Sequence, residues 1–190
     1  MNSQNTELKG RKIAILATDG FEQSELMEPK KNLENAGAKV DVLSIKEGKI
    51  KGWDKTDWGS TVKVDRMVGD AKPAEYDALV LPGGVISRPS TNRQRCGLVC
   101  APVCGDGETG GAICHGPWTL IEAGVVRNRT MTSWPSVHTD LTNAGVNWVD
   151  QEVVTDHNII TSRKPEDIPA FSRAIVQAIK HSAQHFAKAS

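Results

Sequence analysis

The chain has 190 residues, 38% of them hydrophobic, with 23 basic and 23 acidic side chains and a formal net charge of zero. That length and apolar content suit one α/β domain with a full core, and the balanced charge argues against nucleic acid as the principal partner. Met1 to Gly10 is a polar extension without an apolar stretch, neither secretory signal nor membrane span, so a cytoplasmic, reducing setting is expected, with four cysteines as free thiols.

In chain order, Lys12–Ala17 is a short apolar run fit for a central strand, and Glu25 to Ala36 carries Leu26, Leu33 and Ala36 at helical spacing before the Gly37 stop. Val40–Ile45 reads as the second strand. A turn at Glu47-Gly48-Lys49 follows, then short strands through Trp53, Trp58 and Val64. Ala78–Leu81 is a buried strand ending at Pro82-Gly83-Gly84.

The stretch 87–110 breaks the pattern. Gly97, Pro102 and Gly105 make a poor helix interior, and the segment has the look of a local reading-frame slip. Its functional alternative is a metal site from Cys96, Cys100 and Cys104, but no Cys-x-x-Cys or nearby ligand histidine accompanies them, and no metal is expected.

Gly111-Ala112-Ile113-Cys114-His115-Gly116-Pro117-Trp118 then places a cysteine where a buried strand turns abruptly into a helix. Gly116 permits the tight backbone, Pro117 suits a first helical turn, and Gly124 is the stop. This is a nucleophile elbow carrying Cys in place of Ser. It would aim the sulfur at a helix N-terminus, which favours a thiolate. A cysteine at a strand end also fits as a small buried apolar residue, and neighbouring side chains normally diverge, so no Cys114–His115 bond is expected from spacing alone.

Farther on, Arg129–Thr132 reads as a strand, Pro135 opens a helix that Gly145 closes, and Asp156-His157-Asn158 joins two strands in a hairpin. The last helix starts near Pro165 with Ile168, Phe171, Ile175 and Ile179 on one face. No repeat, linker or second domain is apparent, so 11–190 is expected to form a single domain. This alternation points to a mainly parallel sheet with helices on both faces and ligands at the strands' carboxyl ends.

The elbow Ala112–Trp118, preceded by Tyr76–Gly84 and followed by Thr132-Ser133-Trp134-Pro135 and Asn143–Asp150, resembles the DJ-1/PfpI superfamily, its PfpI (protease I, general stress protein) branch in particular. The resemblance extends from Lys12 to about Ile179. It implies a flavodoxin-like, class I glutamine amidotransferase-like α/β sandwich, a reactive Cys114, and self-association as a dimer or hexamer. It also implies a protonated glutamate beside the cysteine. Glu25 fits by its place relative to Pro29, Glu22 by its nearness to the strand end, and either equally suits a helix N-terminus.

Gly83 and Gly84 are candidate oxyanion contributors or simply a tight turn, and Trp118 and Trp134 line the pocket or belong to the core. His115 is a candidate proton carrier, whereas His138, His157, His181 and His185 read as surface residues. The resemblance implies a cysteine-dependent stress-response enzyme acting on methylglyoxal or glyoxal, or on their early adducts on proteins and nucleotides, without a cofactor. A PfpI-type cysteine peptidase, or a redox sensor or chaperone without turnover, is the alternative. The acid of the PfpI peptidase arrangement would fall at about Arg88, so peptidase activity is expected to be weak.

Overall fold

The computed structural model describes residues 6–84 and 108–188, the side chains as far as 182. Seven strands form the main sheet in the order β11-β12-β8-β7-β1-β3-β6. These are β1 (Lys12–Leu16), β3 (Lys39–Ser44), β6 (Arg66–Met67), β7 (Ala78–Leu81), β8 (Thr109–Ile113), β11 (Val153–Asp156) and β12 (Ile159–Ser162). All neighbours pair in parallel except β11, which joins β12 as an antiparallel hairpin.

Strand alternation divides the core in two. Ile13, Ile15, Ala78 and Val80 face α1 (Gln23–Asn35) and α4 (Ile168–Lys188), packing against Leu26, Leu33, Phe171 and Ile175. Ala14, Leu16, Leu79 and Leu81 face the other way, onto Leu120 of α2 (Pro117–Glu122) and Leu141 of α3 (His138–Asn143). Gly111 belongs to the first face, where a Cβ would stand 2.8 Å from Ile175 Cδ1, so glycine lets α4 lie close on the sheet.

The expected strands and helices are present to within a few residues. Their ends differ for local reasons. The helix expected from Pro135 begins as a 3-10 turn, Pro135–Val137, before α3, and the last helix likewise opens with a 3-10 turn over Pro165–Asp167. Proline supplies the fixed φ of a first turn, and a single 3-10 turn is a common way for a helix to begin. The excursion after β3 is a separate sheet of β2 (Phe21–Glu22), β4 (Lys49–Asp54) and β5 (Asp57–Lys63), while β9 (Thr130–Met131) and β10 (Asn147–Trp148) form a parallel pair.

Two boundaries move more. Leu8, within the expected polar extension, is 1% exposed and donates its N–H to Ala36 O at 2.8 Å, so the core begins before Arg11. Thr109 and Gly110, assigned above to the anomalous stretch, are regular strand residues paired to Ala78 and Leu79. Cys96, Cys100, Cys104 and Arg88 lie outside the described residues, as do the side chain of His185 and the rest of that stretch through 107. Among the described residues, no helix is long and apolar enough to cross a membrane.

Candidate active site

Cys114 follows β8 directly with φ 61°, a left-handed backbone that costs a non-glycine residue about 1–2 kcal/mol. Neighbouring segments hold it there. Its N–H donates to Ser162 O and its carbonyl accepts from Trp134 N–H, both at 3.0 Å. Gly116 N–H closes the turn on Ile113 O at 2.8 Å, and a Cβ at Gly116 would stand 2.4 Å from Leu81 O. The turn therefore requires glycine because the β7 backbone occupies the space.

This backbone changes what adjacent side chains can do. Cys114 Sγ lies 3.2 Å from His115 Nδ1, so the two side chains meet where divergence was expected. The positive φ at Cys114 is the reason, since it departs from the extended or helical geometry that throws consecutive side chains apart. His115 Nε2 lies 3.1 Å from Ser136 Oγ. The imidazole is flanked by the rings of Trp118 at 5.0 Å and Trp134 at 6.5 Å, between centroids. Trp118 is held by its Nε1–H on Asp140 Oδ2 at 2.7 Å, and Trp134 is 39% exposed, so Trp134 belongs to the rim rather than the core. Burial lowers the basicity of His115.

Glu25 and Glu22 occupy different environments. Glu25, in the first turn of α1, is fully buried, and its Oε2 accepts the Gly83 N–H at 2.8 Å. Burial raises its pKa to about 8, against the opposing Gly83 hydrogen bond, so the group is predominantly a neutral acid near neutral pH. Its Oε1 has no well-formed hydrogen bond, although the carboxyl lies close enough to Cys114 for each to shift the other's acidity. Glu22 is half-buried in β2, accepts from Ser24 Oγ at 3.2 Å, and adds a weaker electrostatic influence on the thiol.

Burial first, and then the neighbouring Glu25 carboxyl, make the Cys114 thiol less acidic than usual, raising its pKa, with the His115 backbone N–H pulling the other way. The direction of this shift opposes the thiolate expected from the helix N-terminus. The following helix has only six residues and begins with Pro117, which brings no N–H to the sulfur.

The two glycines have separate tasks. Gly83 N–H is committed to Glu25, and a Cβ on Gly83 would lie 2.7 Å from Glu25 Oε2, 2.8 Å from Cys114 Cβ and 2.9 Å from His115 N. It is the point where acid, nucleophile and elbow amide converge, not an open donor to an oxyanion as expected. Gly84, at φ 137°, bridges to Phe21 and could accept no side chain, because a Cβ would lie 2.2 Å from Gly20 O. Together they fasten the end of β7 to β2, with Glu22 N–H donating to Gly83 O at 2.9 Å.

Of the remaining histidines, His138 packs edge-on against Trp148 and His157 bonds to Asp156. His181 is exposed on α4. Ser136 was missed in the sequence. It lies 21 residues beyond His115, and contacts such as the Trp134 N–H on Cys114 O bring its segment to the elbow.

A sequence profile described as the DJ-1/PfpI family matches residues 11–178. A deglycase of Pyrococcus abyssi is 41% identical over 169 residues, covering 89% of this chain and 99% of its own. A candidate cysteine protease of Bacillus subtilis, YraA, is 37% identical over 171 residues, covering 90% and 99%. Among solved structures, a two-domain protein of Anabaena variabilis with DJ-1/ThiJ/PfpI-like and ferritin-like domains superimposes with a TM-score of 0.81 at 32% identity, over 88% of this chain and 47% of its own.

Proposed function

The chain belongs to the DJ-1/PfpI family, and from that premise we propose that it is a cysteine-dependent hydrolase of small dicarbonyl electrophiles, methylglyoxal and glyoxal, or of their early adducts on proteins and nucleotides. One observation carries this reading. A fully buried carboxyl, neutral at ordinary pH and with one oxygen lacking a hydrogen bond, stands against an elbow cysteine. Such a group suits a reaction that needs a proton donor beside a nucleophile at neutral pH.

The chemistry follows from the positions. Cys114 Sγ adds to the aldehyde carbon, forming the S–C bond as the carbonyl pair moves to oxygen, while the thiol proton passes to His115 Nδ1 at 3.2 Å. Burial disfavours the free thiolate, so a base beside the sulfur takes the proton as the S–C bond forms. The oxyanion is met by the His115 backbone N–H and by the acid proton of Glu25. For a free dicarbonyl, Glu25, having given its proton to that oxygen, takes the proton from the first carbon and delivers one to the second, while the hydroxyl proton of the first carbon passes to the second oxygen, leaving a Cys114 thioester. Water releases a hydroxy acid and restores the thiol, so the net change is addition of one water. For an adduct on an amine, attack at the same carbon breaks the C–N bond and the amine leaves with a proton.

Peptide hydrolysis makes a different demand. It needs a strongly basic imidazole stabilised as a cation, and among the described residues His115 has a hydroxyl partner, Ser136, rather than a carboxylate. We place peptidase activity second for that reason. We also propose that the chain acts in the cytoplasm and self-associates as a dimer or hexamer.

The test compares the protein with Cys114→Ala on methylglyoxal, on a methylglyoxal-treated peptide, and on casein. Hydroxy-acid release from the first two, abolished in the variant, with little casein cleavage, is the expected outcome. Cys114-dependent cleavage of casein alone would reverse the ranking.

A further inference from the structure

We propose that the outer face of the small sheet, on β4 and β5, binds single-stranded nucleic acid. Register and burial place the side chains. Ile50 and Gly52 are buried and Val62 packs on the core, so that side of the hairpin turns inward. The alternate positions Lys49, Lys51, Thr61 and Lys63 are exposed on the other side, with Lys49 across from Lys63 and Lys51 across from Thr61. A bulge between Lys51 and Trp53 leads to the cross-strand pair of Trp53 and Trp58. Lys51 Nζ lies 5.6 Å over the Trp58 ring, which puts that ring on the lysine face, and Trp58 is 44% exposed.

The nearby acids are engaged elsewhere. Asp54 Oδ2 accepts from Gln23 Nε2 of α1 at 3.2 Å, Asp57 pairs with Asp54 at the hairpin tip, and Asp19 is held by Lys46 and by the Lys51 N–H at 2.8 Å. Among the described residues, Lys49, Lys51 and Lys63 have no ion-pair partner. Lysines directly opposite each other repel, so the face favours an anionic guest. A second copy laid on it about a two-fold axis would set lysine against lysine. The exposed indole among the lysines adds a demand beyond charge. A phosphate chain carrying flat bases meets both, with phosphates on the ammonium groups and a base on Trp58. The whole chain is neutral, so the site is local and salt-sensitive. It also adjoins the chemistry, since Glu22 of β2 stands in register with Trp53 and acts electrostatically on Cys114. Resting on the reading of Cys114 as acting on dicarbonyl adducts, the face holds a strand whose unpaired bases carry them.

The test follows the anisotropy of a fluorescein-labelled oligothymidine strand with the full chain over a salt series. The unmodified protein should bind at low salt and release the strand as salt rises. Lys49→Gln and Lys63→Gln should each weaken binding and reduce the slope of log affinity against log salt by about 0.7. Trp58→Ala should weaken binding roughly 5–150-fold, the range of one base stacked on an aromatic ring, with the salt slope unchanged, and Trp58→Phe should recover most of the loss. Lys39→Gln, at the amino end of β3 with its side chain 73% exposed, should change nothing. No binding at low salt, an equal loss in Lys39→Gln, or polyglutamate displacing the strand as readily as unlabelled oligothymidine would overturn the proposal. So would Trp58→Ala splitting an oligomer in sedimentation while strand binding stays intact, because the face would then belong to a contact between copies. Binding is read without turnover, so a protein that binds the strand but leaves methylglyoxal unchanged would overturn the functional reading instead.

Discussion

Glu25 is maintained against the stability of the fold. Its pKa moves from an ordinary 4.5 to about 8, so the native state binds this proton more tightly than the unfolded chain does. The associated stability is fully present below pH 4.5 and is lost as pH rises toward and through 8, amounting to about 5 kcal/mol across that window. Glu25→Gln keeps an oxygen for the Gly83 N–H and removes the ionisation. It should match the parent protein below pH 4.5 in urea unfolding and gain several kcal/mol by pH 8, at the expense of activity. A difference independent of pH would show that Glu25 is not titrating in this way. Both glutamates were visible in the sequence as candidates, but choosing between them required the start of α1. Glu22 ends in β2, outside the helix, whereas Glu25 sits in the first turn with its side chain under Gly83. The Cys114–His115 contact was not legible, because a positive φ at a cysteine is imposed by the surrounding backbone rather than by its own preference.

The turn from β8 into α2 is where element geometry becomes chemistry. Gly116 allows it by letting the chain pass 2.4 Å from Leu81 O at the would-be Cβ position. Gly116→Ala must therefore displace either β7 or the elbow, costing about 1–3 kcal/mol and disturbing the 3.2 Å Cys114–His115 contact. Thermal unfolding together with iodoacetamide labelling of Cys114 checks this, and a variant with unchanged melting and labelling would contradict the packing argument. Strands such as Ala78–Leu81 were plain from their apolar runs, and the elbow was plain from its Cys-His-Gly-Pro order. The short sheet of β2, β4 and β5 was less so. Its members are held by pairings such as Phe21 with Gly52 that no local pattern announces. Ser136 belongs with these, since it meets His115 through a contact between two separate segments.

Across the molecule, the carboxyl ends of β1, β7 and β8 lead into the segments that build the site. The loop after β1 leads to Glu22 and Glu25, β7 ends in Gly83, and β8 delivers Cys114. Strand–helix alternation made this rim the expected place for chemistry, and the parallel order β8-β7-β1 accounts for why residues nearly 90 apart in sequence converge there. The polar N-terminus was read less well, since Leu8 is a single apolar residue whose burial depends on α1 and α4 closing over it. The central claim is that Cys114 becomes the covalent carrier of the substrate carbon. Its most direct measurement is an acid-quenched single turnover, with enzyme in excess over methylglyoxal, followed by peptide mapping. The account expects a transient hydroxyacyl thioester on Cys114 that forms before free hydroxy acid, is absent from Cys114→Ala, and decays as product appears. Product release at an undiminished rate from Cys114→Ala, with no modified Cys114 peptide in the parent protein, would contradict it.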